Sequence, residues 1–522
     1  MDKKGGYHYM EKDFLEEFLP DLDEFKQKTM AFHNKEITVA QYKGFSGGYG
    51  SYAQRGGEKH MLRLRLAGGQ VTKEKLKFIA DLCEKYKIDM VKLTTCQSIQ
   101  LHNLEAKDLC DMIESVWRAG MISRGGGGDF PRNVMASPLS GVQSGENFDV
   151  LPYAKETASY LMNFIKAVKF PRKLKVCFSN SPLNETHATF RDMGFVARED
   201  GMFDVYIAGG LGNKHKLGVK VSENVNPQNI LYYVKAMVDT FVENGNYTNR
   251  AQSRTRFLQD TLGVDGLKKA YLDKLEDILV NEELDISVQP YVVNKKGDGV
   301  KVSGKRIVPQ KQEGLYAVFY QPVGGKLAPD KLKEIYNEIC NMEDVEIRLT
   351  PEEGMYIINC NGSEVKKLLS ITDDGASTIF ETSVACIGNS ICQVGVGNSQ
   401  ELLKLCVDAV RKENFADGVL PQIHISGCPS SCGAQQIAKI GFRGAIKQTP
   451  DGPKPAFAIY TDGCPYQGKE KLSDFGKSII VEDIPRFLVE LGKEISAQNT
   501  VYDEWIVDNQ PKFNELIEKY SA

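Results

Sequence analysis

Four cysteines stand apart by their spacing. Cys386 and Cys392 are separated by five residues in "SVACIGNSICQVGVG", Cys428 and Cys432 by three in "HISGCPSSCG", and thirty-five residues lie between the pairs. Both pairs sit in runs rich in Gly, Ser and Pro, so four thiolates on two short loops could surround one metal centre. Zinc sites usually use C-x2–4-C knuckles, and the wider first pair falls outside that pattern. Iron–sulfur clusters are held by four thiolates at varied spacings, and a [4Fe–4S] cube suits the wider loop. Gly and Ser beside the thiols would leave backbone N–H groups free to approach sulfide and tune its potential. The residues after Cys432, "GAQQIAKI", read as a helix whose N-terminus would stabilise a thiolate. From spacing alone, a cluster, a zinc ion and a set of inert thiols all stay open. A Cys428–Cys432 disulfide suits an intracellular chain poorly. Cys83, Cys110, Cys340 and Cys406 fall on the apolar side of helical patterns and read as small buried hydrophobes.

The elements that must hold these loops are revealed by an internal repeat. Leu66 to Cys96 slides by 256 residues onto Pro322 to Glu352 without a gap, placing Gly68-Gly69 on Gly324-Gly325 and Leu93-Thr94 on Leu349-Thr350. Each copy reads strand, Gly-Gly turn, helix, strand: "HMLRLRL" alternates with period two, while Leu76, Ile79, Cys83 and Tyr86 recur at helical spacing. Thr72 caps the first helix, with Lys75 where a capping-box acid would stand. A second pair, Val176 to Ala197 and Ile423 to Gly444, aligns Ser179, Pro182, Gly194 and Phe195 with Ser426, Pro429, Gly441 and Phe442. The chain is therefore a duplicated unit in the order A, B, A′, B′. Cys428 falls on Ser181 and Cys432 on Glu185, so the turn itself does not need thiols; one copy carries a chemistry that the other lacks.

With 522 residues, 42% hydrophobic and 26% charged, the chain is long enough for about three domains. A net charge of −4 does not point to nucleic acid. No apolar run approaches the ~20 residues that span a bilayer, and the charged start "MDKKGGYHYMEKDFLEEF" has no signal-peptide core, so a cytoplasmic protein is expected. Two Gly-rich stretches, Gly44–Gly57 and Gly125–Gly128, are weak signals; neither holds a phosphate-loop pattern.

The cysteine pattern C-x5-C with "GCPSSCG" resembles the signature of siroheme-dependent sulfite and nitrite reductases. "MLRLRLAGGQVT", "LTTCQSIQLH", "FPRNVMASPLSG" and "FPRKLKVCFSNS" resemble further motifs of that family in the same order, and the likeness covers nearly the whole chain. It implies an α+β fold with pseudo-twofold symmetry, ferredoxin-like A modules and α/β B modules that bind siroheme and the cluster. The expected divisions are a helical arm at 1–40, half-modules at 41–115 and 301–375, and B modules at 116–300 and 376–522. The resemblance further implies a [4Fe–4S] cluster on Cys386, Cys392, Cys428 and Cys432, with Cys432 also the axial ligand of siroheme iron. It places Arg132, Lys173 and Lys175 at the substrate anion, as electrostatic clamps and proton sources. Arg124, Arg250, Arg254 and Arg256 would meet the siroheme carboxylates. The sequence departs from the family at Cys96, where an Arg is usual, which removes a positive charge from the pocket. The implied activity is six-electron reduction of nitrite to ammonia. The alternatives are sulfite reduction on the same cofactors and a non-catalytic iron–sulfur electron-transfer protein. Lys175 beside Lys173 resembles the sulfite enzymes; Cys96, "GCPSSCG" and "IGFRG" lie closer to the nitrite side. The chain shows no flavin, nicotinamide or inserted ferredoxin motif, so a separate one-electron donor such as ferredoxin is expected.

Overall fold

A computed structural model describes residues 14–522; the first part of the expected N-terminal arm, and most of the charged start of the chain, lie outside the described residues. The described residues form four five-stranded sheets flanked by helices, and the repeat organises all four. The first A module contains the strands Ser51–Ala53, His60–Leu64, Val91–Leu93 and Ile99–Leu104, with the helix Lys73–Lys85 between the inner pair. Thr72 caps that helix by accepting the Lys75 N–H, and Leu76, Ile79 and Cys83 face the core as their spacing requires. The second A module repeats the plan with Ile307–Pro309, Tyr316–Tyr320, Glu346–Leu349 and Met355–Cys360 around the helix Pro329–Ile339.

Each A sheet takes its fifth strand from the other copy. Gln70–Val71 pairs with Arg348 and Ile347, while Lys326–Leu327 pairs with Lys92 and Val91. The Gly-Gly turns that precede these strands hold left-handed backbone, with φ of +61° and +71° at Gly68 and Gly69 and +63° and +65° at Gly324 and Gly325, which only glycine adopts without cost. The two A modules therefore share one apolar core, in which Leu62, Ile79 and Leu101 meet Val318, Ile335 and Ile357.

The B modules each have their own core. In the first, strands Met135–Ala136, Val176–Ser179 and Met193–Ala197 run parallel, followed by antiparallel Phe203–Ile207 and Val219–Val225. In the second, Val384–Ala385, Ile423–Ser426 and Ile440–Thr449 repeat the parallel set and Gly452–Thr461 the antiparallel return. The segment after Cys432 is not a helix: it makes a three-residue 3-10 turn, Gln435–Ile437, and enters a strand at Ile440. Its counterpart, Ala188–Phe190, does the same, each turn entered through a left-handed residue, His187 or Ala434. The apolar residues of "AQQIAKIGF" pack as a turn and a strand, so this segment brings no α-helix N-terminus to Cys432. The aligned glycines explain the compactness of this turn. A Cβ on Gly194 would lie 1.9 Å from the Ala188 carbonyl oxygen, and one on Gly441 2.2 Å from that of Gln435.

Gly194→Ala should lower stability by about 1–3 kcal/mol through this overpacking. Gly44→Ala, where nothing lies within 4 Å of the new Cβ, should be neutral or mildly stabilising. Thermal melts of both variants check the contrast, and equal midpoints would refute it.

Candidate functional site

The strand Val384–Ala385 delivers Cys386, and the parallel strand Ile423–Ser426 delivers Cys428. The two loops are stitched together. Val396 and Gly397 N–H both donate to the Gly427 carbonyl at 2.8 Å, and Gly427 N–H donates to Cys386 Sγ at 3.1 Å. Ser399 Oγ lies 3.2 Å from the same sulfur. All four thiols are free; Cys428 is buried and Cys432 exposed. Among the described residues, no three Cys, His, Asp or Glu side chains are spaced to hold one metal ion; a cluster interposes its own iron and sulfide between the thiolates. Cys432 keeps accessible surface, yet its thiol is pushed up to about 12, first by desolvation and then by Cys386. Both observations fit a sulfur set into a cleft, with part of its surface open.

Residues of the first copy reach this cleft. Thr95 Oγ1 donates to the Cys432 carbonyl at 2.8 Å, which brings "LTTCQSIQLH" onto the cysteine loop. Beside it, Lys175 Nζ donates to Cys96 Sγ at 3.2 Å. Desolvation raises the Cys96 thiol, but the charges of Lys175 and Arg191, the Lys175 hydrogen bond and Arg63 outweigh it and bring it down to about 6. Lys173 is pushed well below its ordinary value by desolvation, then by Arg254, Lys175 and Arg132; Cys432 opposes the shift. Lys175 is lowered too, chiefly by desolvation, and Arg132 falls to about 10 for the same reason. Arg132 Nη1 and Nη2 donate to the carbonyls of Gly126 and Gly128 at 2.8 and 2.7 Å, while its buried Nε has no acceptor. No carboxylate pairs with Arg132, Lys173 or Lys175 through its side chain among the described residues. Asp192, the nearby acid, is taken up by Arg254 at 2.8 Å, by Thr255 and by the Lys175 backbone N–H.

The four arginines expected at siroheme carboxylates divide. Arg254 pairs with Asp192 yet keeps a buried Nε without an acceptor. The others are engaged within the protein. Arg124 pairs with Asp21 at 2.8 Å and lies over Tyr49, tying the helix Asp21–His33 to the core. Arg250 pairs with Asp129 at 2.6 Å. Arg256 donates to the carbonyls of Asn213 and Lys214. The Gly125–Gly128 run is approached by protein: a Cβ on Gly127 would lie 2.4 Å from the Gly47 carbonyl oxygen, so the two Gly-rich stretches need one another.

Several residues at the site were not singled out by the sequence. Arg55, from the first copy's outer hairpin, binds the Cys392 loop three times: its N–H donates to Ile391 O at 2.7 Å, and Nη2 to Cys392 O and Gly395 O at 3.2 and 2.9 Å. Arg63 donates to Gly126 O at 2.5 Å, and Arg191 is held by Thr186 O and His187. Tyr52 accepts the Gly128 N–H at 2.7 Å. Burial raises its hydroxyl, but Arg132, that N–H, Arg63 and Arg172 bring it below the ordinary value. The alternation in "HMLRLRL" shows Arg63 on a strand, but only the fold shows what it faces.

The ferredoxin-like half domain of nitrite/sulfite reductases matches residues 52–116, and the nitrite and sulphite reductase 4Fe-4S domain matches residues 127–279. Both matches lie in the first copy, ahead of the four cysteines. The chain is 28% identical over 431 residues to the chloroplastic ferredoxin–nitrite reductase of Betula pendula, covering 78% of this chain and 71% of that protein. It is 26% identical over 415 residues to the ferredoxin–nitrite reductase of Leptolyngbya laminosa, covering 76% and 78%. It is 24% identical over 435 residues to sulfite reductase [ferredoxin] 1 of Mycolicibacterium paratuberculosis, covering 80% and 75%. The structure of the Mycobacterium tuberculosis NirA protein shares the fold with a TM-score of 0.72 at 20% identity, over 87% of each chain. Motifs, duplicated fold and these matches agree: they support the nitrite and sulfite reductase family for this chain, as an oxidoreductase that uses siroheme and a [4Fe–4S] cluster.

Proposed function

We propose that this protein reduces nitrite to ammonia with six electrons delivered singly by ferredoxin or a similar small carrier. The observation that carries the reading is the group of cations in which Lys173 feels the charges of Lys175 and Arg132, both lysines feel the Cys432 thiol, and no side-chain carboxylate partner is found among the described residues. Desolvated like charges repel and cost stability, and a bound anion would relieve that cost. Orphaned buried Nε atoms on Arg132 and Arg254 are further donors with nothing to bind, which suits an anionic cofactor and an anionic substrate.

Cys386, Cys392, Cys428 and Cys432 would hold the cluster, and Cys432 would also face the siroheme iron; together the two groups would supply electrons to the substrate one at a time. The chain's own residues then bind the anion and manage protons. Lys173 is driven toward its neutral form by desolvation and neighbouring cations. An arriving anion would restore its charge, and the proton taken up from solvent would then be available to the bound oxyanion. Arg132, fixed by two glycine carbonyls, stays a cation and an oriented donor. Cys96 as a thiolate cancels part of the Lys175 charge, which favours monoanionic nitrite over dianionic sulfite. The sulfite reading keeps one supporting observation, the retention of both Lys173 and Lys175. Near the Cys392 loop, exposed Val394 and Val396 beside exposed Arg55 make a mixed apolar and basic patch suited to an acidic donor. Among the described residues no helix is long and apolar enough to cross a membrane.

The absorption spectrum and iron content of anaerobically purified protein test the cofactor reading: strong red siroheme bands with cluster iron are expected, and zinc or a bare cluster would contradict it. Lys173→Met should lower kcat/KM by about 10²-fold, the size of one lost electrostatic donor. Cys96→Arg should raise the sulfite-to-nitrite ratio of kcat/KM by about tenfold, the worth of ~1.4 kcal/mol; an unchanged ratio would remove Cys96 from substrate choice. The Cys96 thiol, ordinarily near pH 8.5, should alkylate with a midpoint of about 6. Because its folded value is depressed, its ionisation stabilises the fold above about 8.5, and that contribution falls away as pH drops through about 6. Cys96→Ser should flatten the stability-against-pH curve in that window.

A further inference from the structure

Behind the cysteine loops lies an ion pair that the mechanism above does not use. Lys92 and Glu353 are 2% and 3% exposed, with Nζ 2.6 Å from Oε1. Lys92 Nζ also donates to the Leu93 carbonyl at 2.9 Å. The other Glu353 oxygen, Oε2, accepts the backbone N–H of Ala385 at 3.1 Å, one residue before Cys386. Both charges act on that sulfur: Glu353 disfavours the Cys386 thiolate, and Cys386 in turn holds the Lys92 charge against its desolvation.

The repeat supplies an internal control. At the 256-residue offset, Glu353 falls on Gln97. Both are buried and left-handed, with φ of +67° and +50°. Gln97 makes the same clamp on the edge strand of the first B module: Oε1 accepts the Ala136 N–H at 3.0 Å, and Nε2 donates to Ala136 O and Leu349 O at 2.8 and 2.7 Å. A neutral amide therefore suffices to dock an A module on a B strand. The copy with the cysteines instead uses a carboxylate, and balances it with a lysine from the other copy. Gly325 makes room for both: a Cβ there would lie 2.6 Å from Lys92 Nζ and 2.7 Å from Glu353 Cβ. A buried pair of charges is a poor source of net stability, so the fold does not explain the replacement, whereas fixed charges behind a cluster ligand are a recognised lever on its potential.

We propose that the Lys92–Glu353 pair is a positioning and tuning element of the iron–sulfur centre, in which Glu353 fixes the strand leading to Cys386 and the two opposed charges set the centre's reduction potential. The inference rests on the cluster assignment made above. It goes beyond that assignment by giving a role to two residues that are neither among the four cysteines nor among the cations named above.

The test is a redox titration of the holoenzyme followed by electron paramagnetic resonance, with iron and acid-labile sulfide counted first. Wild-type protein without the cluster's four irons and four labile sulfides, counted in addition to the one siroheme iron, would remove the cluster assignment and this proposal with it. With the cluster present, Glu353→Gln, which keeps the clamp in the form used by Gln97, should ease reduction: the reduced-to-oxidised ratio at a fixed potential should rise about tenfold, ~59 mV for one electron. Lys92→Met should shift the ratio in the opposite direction, and the double variant should lie between the two. Shifts of the same sign, as a merely loosened loop would give, or unchanged potentials in variants that keep full iron content, would overturn the proposal.

Discussion

The exchange of edge strands between the two copies is the constraint on which the rest depends. Gln70–Val71 completes the second A sheet and Lys326–Leu327 the first, so neither copy can close its own sheet alone. Backbone hydrogen bonds left open at those edges would be costly. The exchange fuses the A modules around a common core and leaves a single arrangement for the B modules that hang from them. As a result, "LTTCQSIQLH" of the first copy meets Cys432 of the second, and Arg55 of the first copy holds the Cys392 loop. The cleft belongs to neither copy; it is made at their junction.

Duplication freed the copies to diverge at aligned positions. Cys428 and Cys432 stand where the first copy has Ser181 and Glu185, and the cations Lys173 and Lys175 belong to the copy without these two cysteines. The same asymmetry replaces Gln97 with Glu353. Within the cleft, desolvation sets the direction for Lys173, Lys175 and Arg132, which it depresses, and for Cys432, which it raises. Cys96 runs against that trend, because neighbouring cations overcome its burial. A protein that merely buried these groups would have paired them with acids, as it did Arg124 with Asp21 and Arg254 with Asp192.

Much of the fold was legible in the sequence because the repeat is written in residues with strict backbone demands. Gly68-Gly69 and Gly324-Gly325 mark left-handed turns, and Gly194 and Gly441 mark backbone contacts that no side chain tolerates. The helical reading of "GAQQIAKI" failed because propensity yielded to tertiary context: Ala434 turns left-handed and Ile440 joins the sheet. Arg124, Arg250 and Arg256 look alike in sequence to Arg254, and only their partners tell them apart. Arg55, Lys92 and Glu353 were illegible for a different reason. Their meaning depends on contacts between residues roughly 250 to 340 positions apart, which no local pattern records.

The central claim is that a cleft with Cys96 beside Lys175 is set for a monoanion. The most direct measurement is anaerobic turnover of the cofactor-loaded protein with reduced ferredoxin, comparing kcat/KM for nitrite and sulfite side by side. The account predicts a clear preference for nitrite, with ammonia as the product. A preference for sulfite, with sulfide released, would mean that Lys173 and Lys175 decide the substrate despite the thiol at position 96, and would contradict it.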